Sequence, residues 1–208
     1  MTRQSDTLLL IVDAQNDFMP GGALGVPGGA EIVPVLNRVA RLFAHVALTQ
    51  DWHPPGHASF ASSHPGRNTF DTIPLPYGPQ TLWPDHCVQD THGAAFHAAL
   101  DVPHAEFIAR KGHHRGIDSY SAFFAADRAT PTGLNGYLRE RGFSRLVIAG
   151  LATDFCVAWS ALDARRLGFE VDVIEDACRA IDLDGSLAAA WRDMNEAGVK
   201  RIASAAIG

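Results

Sequence analysis

Short apolar runs alternate along this chain with segments whose apolar residues recur every three or four positions. Leu8-Leu-Leu-Ile-Val12 is five consecutive apolar residues and reads as a strand buried on both faces, ending on Asp13. After a Gly/Pro-rich loop, Ile32, Val35, Leu36, Val39, Leu42 and Phe43 fall on one helical face, with Pro34 tolerated in the first turn. Val46–Thr49 predicts a second strand ending near Asp51, and Glu106–Arg110 a third ending on Lys111. Thr132–Arg141 reads as a helix and Arg145–Ala149 as a fourth strand. The next helix carries Cys156. Thr153 or Asp154 is its expected cap, and Trp159, Leu162 and Leu167 its inner face. Glu170–Ile174 and Arg201–Ala203 are the fifth and sixth strands, separated by a helix over Leu187–Ala197 that Asp184 would cap.

Strands that alternate with helices, as apolar runs rather than clean period-two patterns, predict an α/β fold. Its centre is a mostly parallel six-stranded sheet with helices on both faces, in a single domain over residues 1–208. Between Trp52 and about Ala105 the periodicity is lost, apart from one short helix expected at Gly93–Leu100. So long an irregular excursion in a compact domain usually carries function.

Composition narrows the class. Hydrophobic residues make up 47% of the chain and charged residues 19%, which fits a packed core rather than disorder. A net charge of -6 argues against nucleic acid or an anionic membrane as partner. No apolar run approaches the roughly 18 residues of a membrane span, and the polar start Met1-Thr-Arg-Gln-Ser-Asp6 is unlike a signal peptide. Three cysteines without Cys-x-x-Cys spacing fit a reduced cytoplasm, and Cys87 and Cys178 read as small core hydrophobes.

Ligands of parallel sheets lie beyond the carboxyl ends of the strands. Asp13, Asp51 and Lys111 sit at or just past three such ends, and Cys156 follows a fourth. At a helix start, near unpaired N–H groups and the positive end of the helix dipole, Cys156 is expected to favour thiolate. Asp13 could accept its proton and Lys111 could hold both charges. An inert thiol beside a buried Asp–Lys ion pair fits the spacing equally well. Asp51-x-His53 places a carboxylate and an imidazole on one side of an extended segment, and His86 could complete a set suited to a six-coordinate divalent ion.

Asp13-Ala-Gln-Asn-Asp-Phe-Met-Pro-Gly-Gly22, Lys111-Gly112 and Gly150-Leu-Ala-Thr-Asp-Phe-Cys-Val157 resemble the three catalytic segments of the isochorismatase-like cysteine hydrolases. Asp51-Trp-His-Pro-Pro-Gly-His57 and Trp83-Pro-Asp-His-Cys87 extend the resemblance to the nicotinamidase branch. The resemblance implies hydrolysis of nicotinamide to nicotinate and ammonia through a thioester, as in NAD salvage, with pyrazinamide as a further substrate. It makes Cys156 the nucleophile, Asp13 the general base and then acid, and Lys111 the third member of the triad. It implies an oxyanion hole from the N–H groups of Ala152 and Cys156, with a cis Leu151–Ala152 peptide. It implies one divalent ion (Zn, Fe or Mn) on Asp51, His53 and His86, and a pyridine ring enclosed by Phe18 and Trp83 with Tyr120 at the edge. His57 stays outside the ligand set, the adjacent His113-His114 pair reads as surface, and a homo-oligomer is left open. The competing readings are a relative acting on a carbamoyl or ureido substrate, and a non-catalytic scaffold.

Overall fold

The computed structural model describes residues 6–207, so the polar start before Asp6 lies outside the described residues. Six strands form one parallel sheet: β1 (Thr7–Val12), β2 (Val46–Asp51), β5 (Ala105–Lys111), β6 (Arg145–Leu151), β7 (Glu170–Arg179) and β8 (Lys200–Ile202), in the order β5-β2-β1-β6-β7-β8. Four helices accompany them: α1 (Ile32–Ala40), α2 (Leu134–Glu140), α3 (Ala158–Arg166) and α4 (Ser186–Glu196). From β1 the chain steps outward through α1 to β2, and from β6 it steps the other way through α3 to β7. Right-handed crossovers in opposite directions place helices on opposite faces of the sheet. Every residue of β1 and β2 is buried, as two-sided cover requires.

Strand order creates the crevice. The path reverses between β1 and β6, so the ends of these neighbours diverge into a gap at their carboxyl edge. β5, β2, β1 and β6, the four strands that lead to Lys111, Asp51, Asp13 and Cys156, are consecutive in the sheet. Register aligns them further: Asp51 pairs with Lys111, and Val12 with Gly150.

Several local expectations are corrected. No helix forms at Gly93–Leu100, which is a series of turns tied down by Gln15 and Asn16. The excursion instead contains an antiparallel hairpin, β3 (Thr72–Leu75) with β4 (Gly78–Thr81), apart from the main sheet. β7 runs on to Arg179 past an exposed Glu175-Asp176 irregularity, so Cys178 is a buried strand residue opposite Gly150. Neither Thr153 nor Asp154 caps the cysteine helix. Asp154 instead accepts hydrogen bonds from the Ile181 and Asp182 N–H groups (3.1 and 2.7 Å) and the Ser186 hydroxyl, tying this turn to the start of α4. Asp184 does not cap α4; Asp182 Oδ1 accepts from the Leu187 N–H at 3.2 Å. The inner face of α3 is Ala158, Ala161 and Ala164, whose small side chains let the helix approach the sheet closely, while Trp159, Leu162 and Leu167 are only half-buried. α1 ends at Ala40, leaving Leu42 exposed. No helix among the described residues is long and apolar enough to cross a membrane.

The β6 end depends on a backbone contact. Gly150 has φ +127°, and a Cβ there would lie 2.0 Å from the Val12 carbonyl oxygen. Any side chain would force β1 and β6 apart at the crevice. Gly150→Ala is expected to cost more than about 4 kcal/mol of stability. A urea denaturation midpoint equal to wild type would contradict this packing.

Candidate active site and metal centre

Asp13 leaves the end of β1 with φ +47°, and Thr49 on β2 holds it there. The Thr49 hydroxyl donates to Asp13 Oδ1 at 2.6 Å and accepts from the Asp13 N–H at 3.1 Å. Asp13 Oδ2 is left facing the Lys111 ammonium at 2.9 Å. Lys111 is fully buried at the end of β5. Its Nζ also lies 3.1 Å from Asp51 Oδ1, 3.1 Å from the Ser119 carbonyl oxygen and 3.4 Å from Cys156 Sγ. A single ammonium therefore joins the thiol, the acid behind it and the carboxylate of the histidine cluster.

Cys156 lies on a π-helical turn, Thr153–Val157, that runs into α3. Its surroundings act against the thiolate expected from a helix start. Burial pushes the thiol well above its ordinary range; Lys111 opposes this, but Asp13 and Asp51 add to it. Burial also raises Asp13, against the pull of Lys111. Lys111 is held well above the ordinary lysine range, because Asp13 and Asp51 outweigh the cost of its burial. Leu151–Ala152 is a cis peptide that carries the chain from β6 into this turn.

The histidine cluster is built from the excursion. Gln15 grips Asp51 through its backbone: its Oε1 accepts from the Asp51 N–H and its Nε2 donates to the Asp51 carbonyl, both at 2.8 Å. Asp17 Oδ2 accepts from the Cys87 N–H at 2.7 Å and fixes the turn bearing His86. His53 Nε2 and His86 Nε2 lie 3.1 and 3.4 Å from the same oxygen, Asp51 Oδ2. Their other ring nitrogens face carbonyl oxygens, His53 Nδ1 that of Gly112 (3.0 Å) and His86 Nδ1 that of Pro84 (2.8 Å). Carbonyls only accept, so both Nδ1 atoms carry the protons. In the neutral rings, both Nε2 lone pairs then point at a carboxylate with no donor between them. Three buried acceptors converging in this way fit a bound divalent cation, and the carbonyl-anchored Nδ1 is the usual support of a metal-binding histidine.

His57 belongs to a second grouping, with His53 and Asp118, whose ligand atoms also lie within 4.8 Å of one another. Its partners are already assigned. Nδ1 accepts from the Ser59 hydroxyl (2.7 Å) and N–H (3.2 Å), and Nε2 donates to the carbonyls of His114 and Ile117. Burial and the neighbouring His53 lower its pKa to about 4, keeping it neutral. His113 and His114 are exposed, and the Cys87 thiol is kept protonated by burial.

A small cavity opens between the thiol and the histidine cluster, and Phe18, Trp83, Tyr120, Ala152 and Cys156 all line it. Trp83 and Phe155 meet edge to face at 4.9 Å, and Phe18 meets His86 at 5.6 Å. Sequence reasoning missed Thr49, Gln15 and Asp118. The first two are buried polar residues flanking a strand end, a signal visible only once the strands are paired. Gly112 has φ +66°, and a Cβ there would lie 2.4 Å from His53 Cε1 and 2.6 Å from Nδ1. Gly112→Ala is expected to fold but to bind zinc about 10- to 100-fold more weakly, by calorimetric titration of metal-free protein. Unchanged affinity would contradict the role of this close approach.

Residues 7–206 match the family model described as Isochorismatase domain. The chain is 56% identical over 204 residues to the nicotinamidase of Acinetobacter baylyi, covering 98% of this chain and 95% of that protein. Its fold superposes on a nicotinamidase/pyrazinamidase of Acinetobacter baumanii with a TM-score of 0.98, at 54% identity and full coverage of both chains. A pyrazinamidase of Pyrococcus horikoshii in complex with zinc aligns with a TM-score of 0.78 and 36% identity, covering 95% of this chain and 99% of that one. The expected segments, their order and this likeness agree: the chain belongs to the isochorismatase family of hydrolases.

Proposed function

We infer that this protein is a nicotinamide amidohydrolase, releasing nicotinate and ammonia. The observation that carries the reading is a buried thiol on one wall of a small aromatic cavity, backed by a buried ammonium and carboxylate, with a cation-ready Asp–His–His cluster on another wall. A pyridine carboxamide has the matching parts: a flat ring, a ring nitrogen with a lone pair, and an amide carbon. High identity to nicotinamidases favours this substrate over a carbamoyl or ureido compound.

In the proposed sequence, Asp13 Oδ2 takes the proton from Cys156 Sγ as sulfur attacks the amide carbon. The developing oxyanion is received by the N–H groups of Ala152 and Cys156, each such donor being worth about 10²–10³ in rate. Lys111 keeps Asp13 oriented and offsets the negative charge that builds on sulfur and carboxylate. Asp13 then passes its proton to the departing nitrogen as the C–N bond breaks, leaving ammonia and a thioester. A water gives a proton to Asp13 and adds its oxygen to the thioester carbon. The C–S bond breaks, Asp13 returns the proton to sulfur, and the product leaves as the carboxylic acid, which ionises to nicotinate by releasing its proton to solvent.

Asp51, His53 and His86 would hold the divalent ion, which when bound supplies a Lewis acid for the pyridine nitrogen. The zinc complex of the Pyrococcus relative and the convergence of both Nε2 atoms on Asp51 Oδ2 support this assignment. Phe18 and Trp83 would enclose the ring, with Tyr120 at its edge. Asp13 takes the thiol proton during attack and later activates water, so it is needed for acylation as well as for hydrolysis of the thioester.

Ammonia release on addition of nicotinamide tests the reading. Cys156→Ala is expected to lower that release by at least about 10⁴-fold, as loss of a nucleophile does, while unfolding temperature and metal content stay at wild-type values. Retained turnover would contradict the nucleophile. Dipicolinate treatment is expected to abolish activity and added divalent metal to restore it; full activity in metal-stripped protein would remove the ion from the reaction.

A further inference from the structure

The β3–β4 hairpin lies outside the main sheet, yet it carries a buried polar side chain that faces the cavity wall. Gln80, on β4, is 1% exposed on a strand whose other residues are at least partly open to solvent. Its Nε2 lies 2.9 Å from Asp118 Oδ2, 3.1 Å from the Tyr120 hydroxyl and 2.6 Å from the Thr81 carbonyl. On the other side, Oε1 accepts from the Tyr77 hydroxyl at 3.0 Å. The orientation of the amide is fixed by chemistry, because Asp118 as a carboxylate can only accept and must meet the NH₂ group.

Those partners are the cavity wall. Asp118 and Tyr120 line the cavity, as does Trp83, whose indole Nε1 donates to the same Tyr120 hydroxyl at 2.9 Å. Trp83 and Tyr120 both pack on Phe155, at 4.9 and 5.6 Å. One carboxamide therefore sets the carboxylate directly, the phenol directly and the indole through the phenol. Removing it leaves a buried carboxylate oxygen without this donor and frees the phenol to rotate, which would move the indole with it.

We propose that Gln80 is a positioning residue for the substrate ring: through Tyr120, Trp83 and Asp118 it shapes the wall on which the pyridine lies. The inference rests on the nicotinamide-hydrolysing reading above. Gln80 touches none of Cys156, Asp13 or Lys111 in the contacts described, so its effect falls on binding of the ring rather than on the bond-making steps. A residue that merely braced the hairpin would change stability and leave the kinetics of the folded protein alone.

The test compares nicotinamide kinetics of wild type, Gln80→Leu and Gln80→Glu. The leucine variant keeps volume without polarity. The glutamate variant keeps shape and the acceptor for Tyr77 while removing the NH₂ donor, and carries the test if the leucine variant does not fold. Both are expected to raise KM by about tenfold or more, the size of effect of an unpaired buried polar group, with kcat within about threefold of wild type. Wild-type KM in a folded variant would overturn the proposal, and so would a loss confined to kcat. Absence of ammonia release from the wild-type enzyme in the same assay would instead overturn the substrate reading itself, and the proposal with it.

Discussion

One buried ammonium governs this active edge. Lys111 has no access to solvent, and a charge in such surroundings is tolerated only when it is closely paired. Asp13 and Asp51 supply the pairing from two neighbouring strands, and the Ser119 carbonyl adds a third oxygen. Removal of a partner from a buried pair typically costs about 3–5 kcal/mol, so each carboxylate is constrained by the other's need for the same lysine. The consequence is chemical. The acid beside the thiol and the acid of the histidine cluster share a counterion, and a cation on Asp51, His53 and His86 would relieve the negative charge that Asp51 contributes at sulfur. The Cys156 thiol and the proposed metal centre are thus two ends of one electrostatic unit.

Everything that surrounds this unit places its members. Parallel strands in the order β5-β2-β1-β6 bring four strand ends side by side. Thr49 selects which oxygen of Asp13 faces the lysine, and Gln15 holds Asp51 by its backbone so that its carboxylate stays available. Two glycines admit the close approaches, Gly150 against β1 and Gly112 beneath His53. Rigid strands carry the charges, while the irregular excursion brings the histidine, the indole and, on its hairpin, the amide that orients the wall.

Much of this was legible in the chain. Apolar residues located the strands of the main sheet most plainly at its centre, where β1 and β6 are buried and nearly all apolar, whereas the edge strands β5 and β8 are partly exposed and carry charged residues. The rule that ligands lie beyond strand ends then singled out Asp13, Asp51, Lys111 and Cys156. What was not legible had physical causes. The helix expected at Gly93–Leu100 was overridden by tertiary hydrogen bonds from Gln15 and Asn16. The cap expected from Asp154 was diverted to the loop before α4. The lowered thiol pKa expected from a helix start was reversed by burial and two carboxylates, since local dipoles are weak beside desolvation and nearby full charges. Gln80 carries no periodic or motif signal at all; its value arises from a hairpin packed against residues some 40 positions later.

The central claim is that Cys156 becomes covalently acylated, with Asp13 and Lys111 managing its proton and charge. Acid quenching of the enzyme during turnover of nicotinamide, followed by intact-protein mass spectrometry and peptide mapping, tests it most directly. The account predicts a nicotinoyl adduct on the peptide containing Cys156, and none on those containing Cys87 or Cys178. Steady ammonia release with no adduct in any quench interval, or an adduct on another residue, would contradict it.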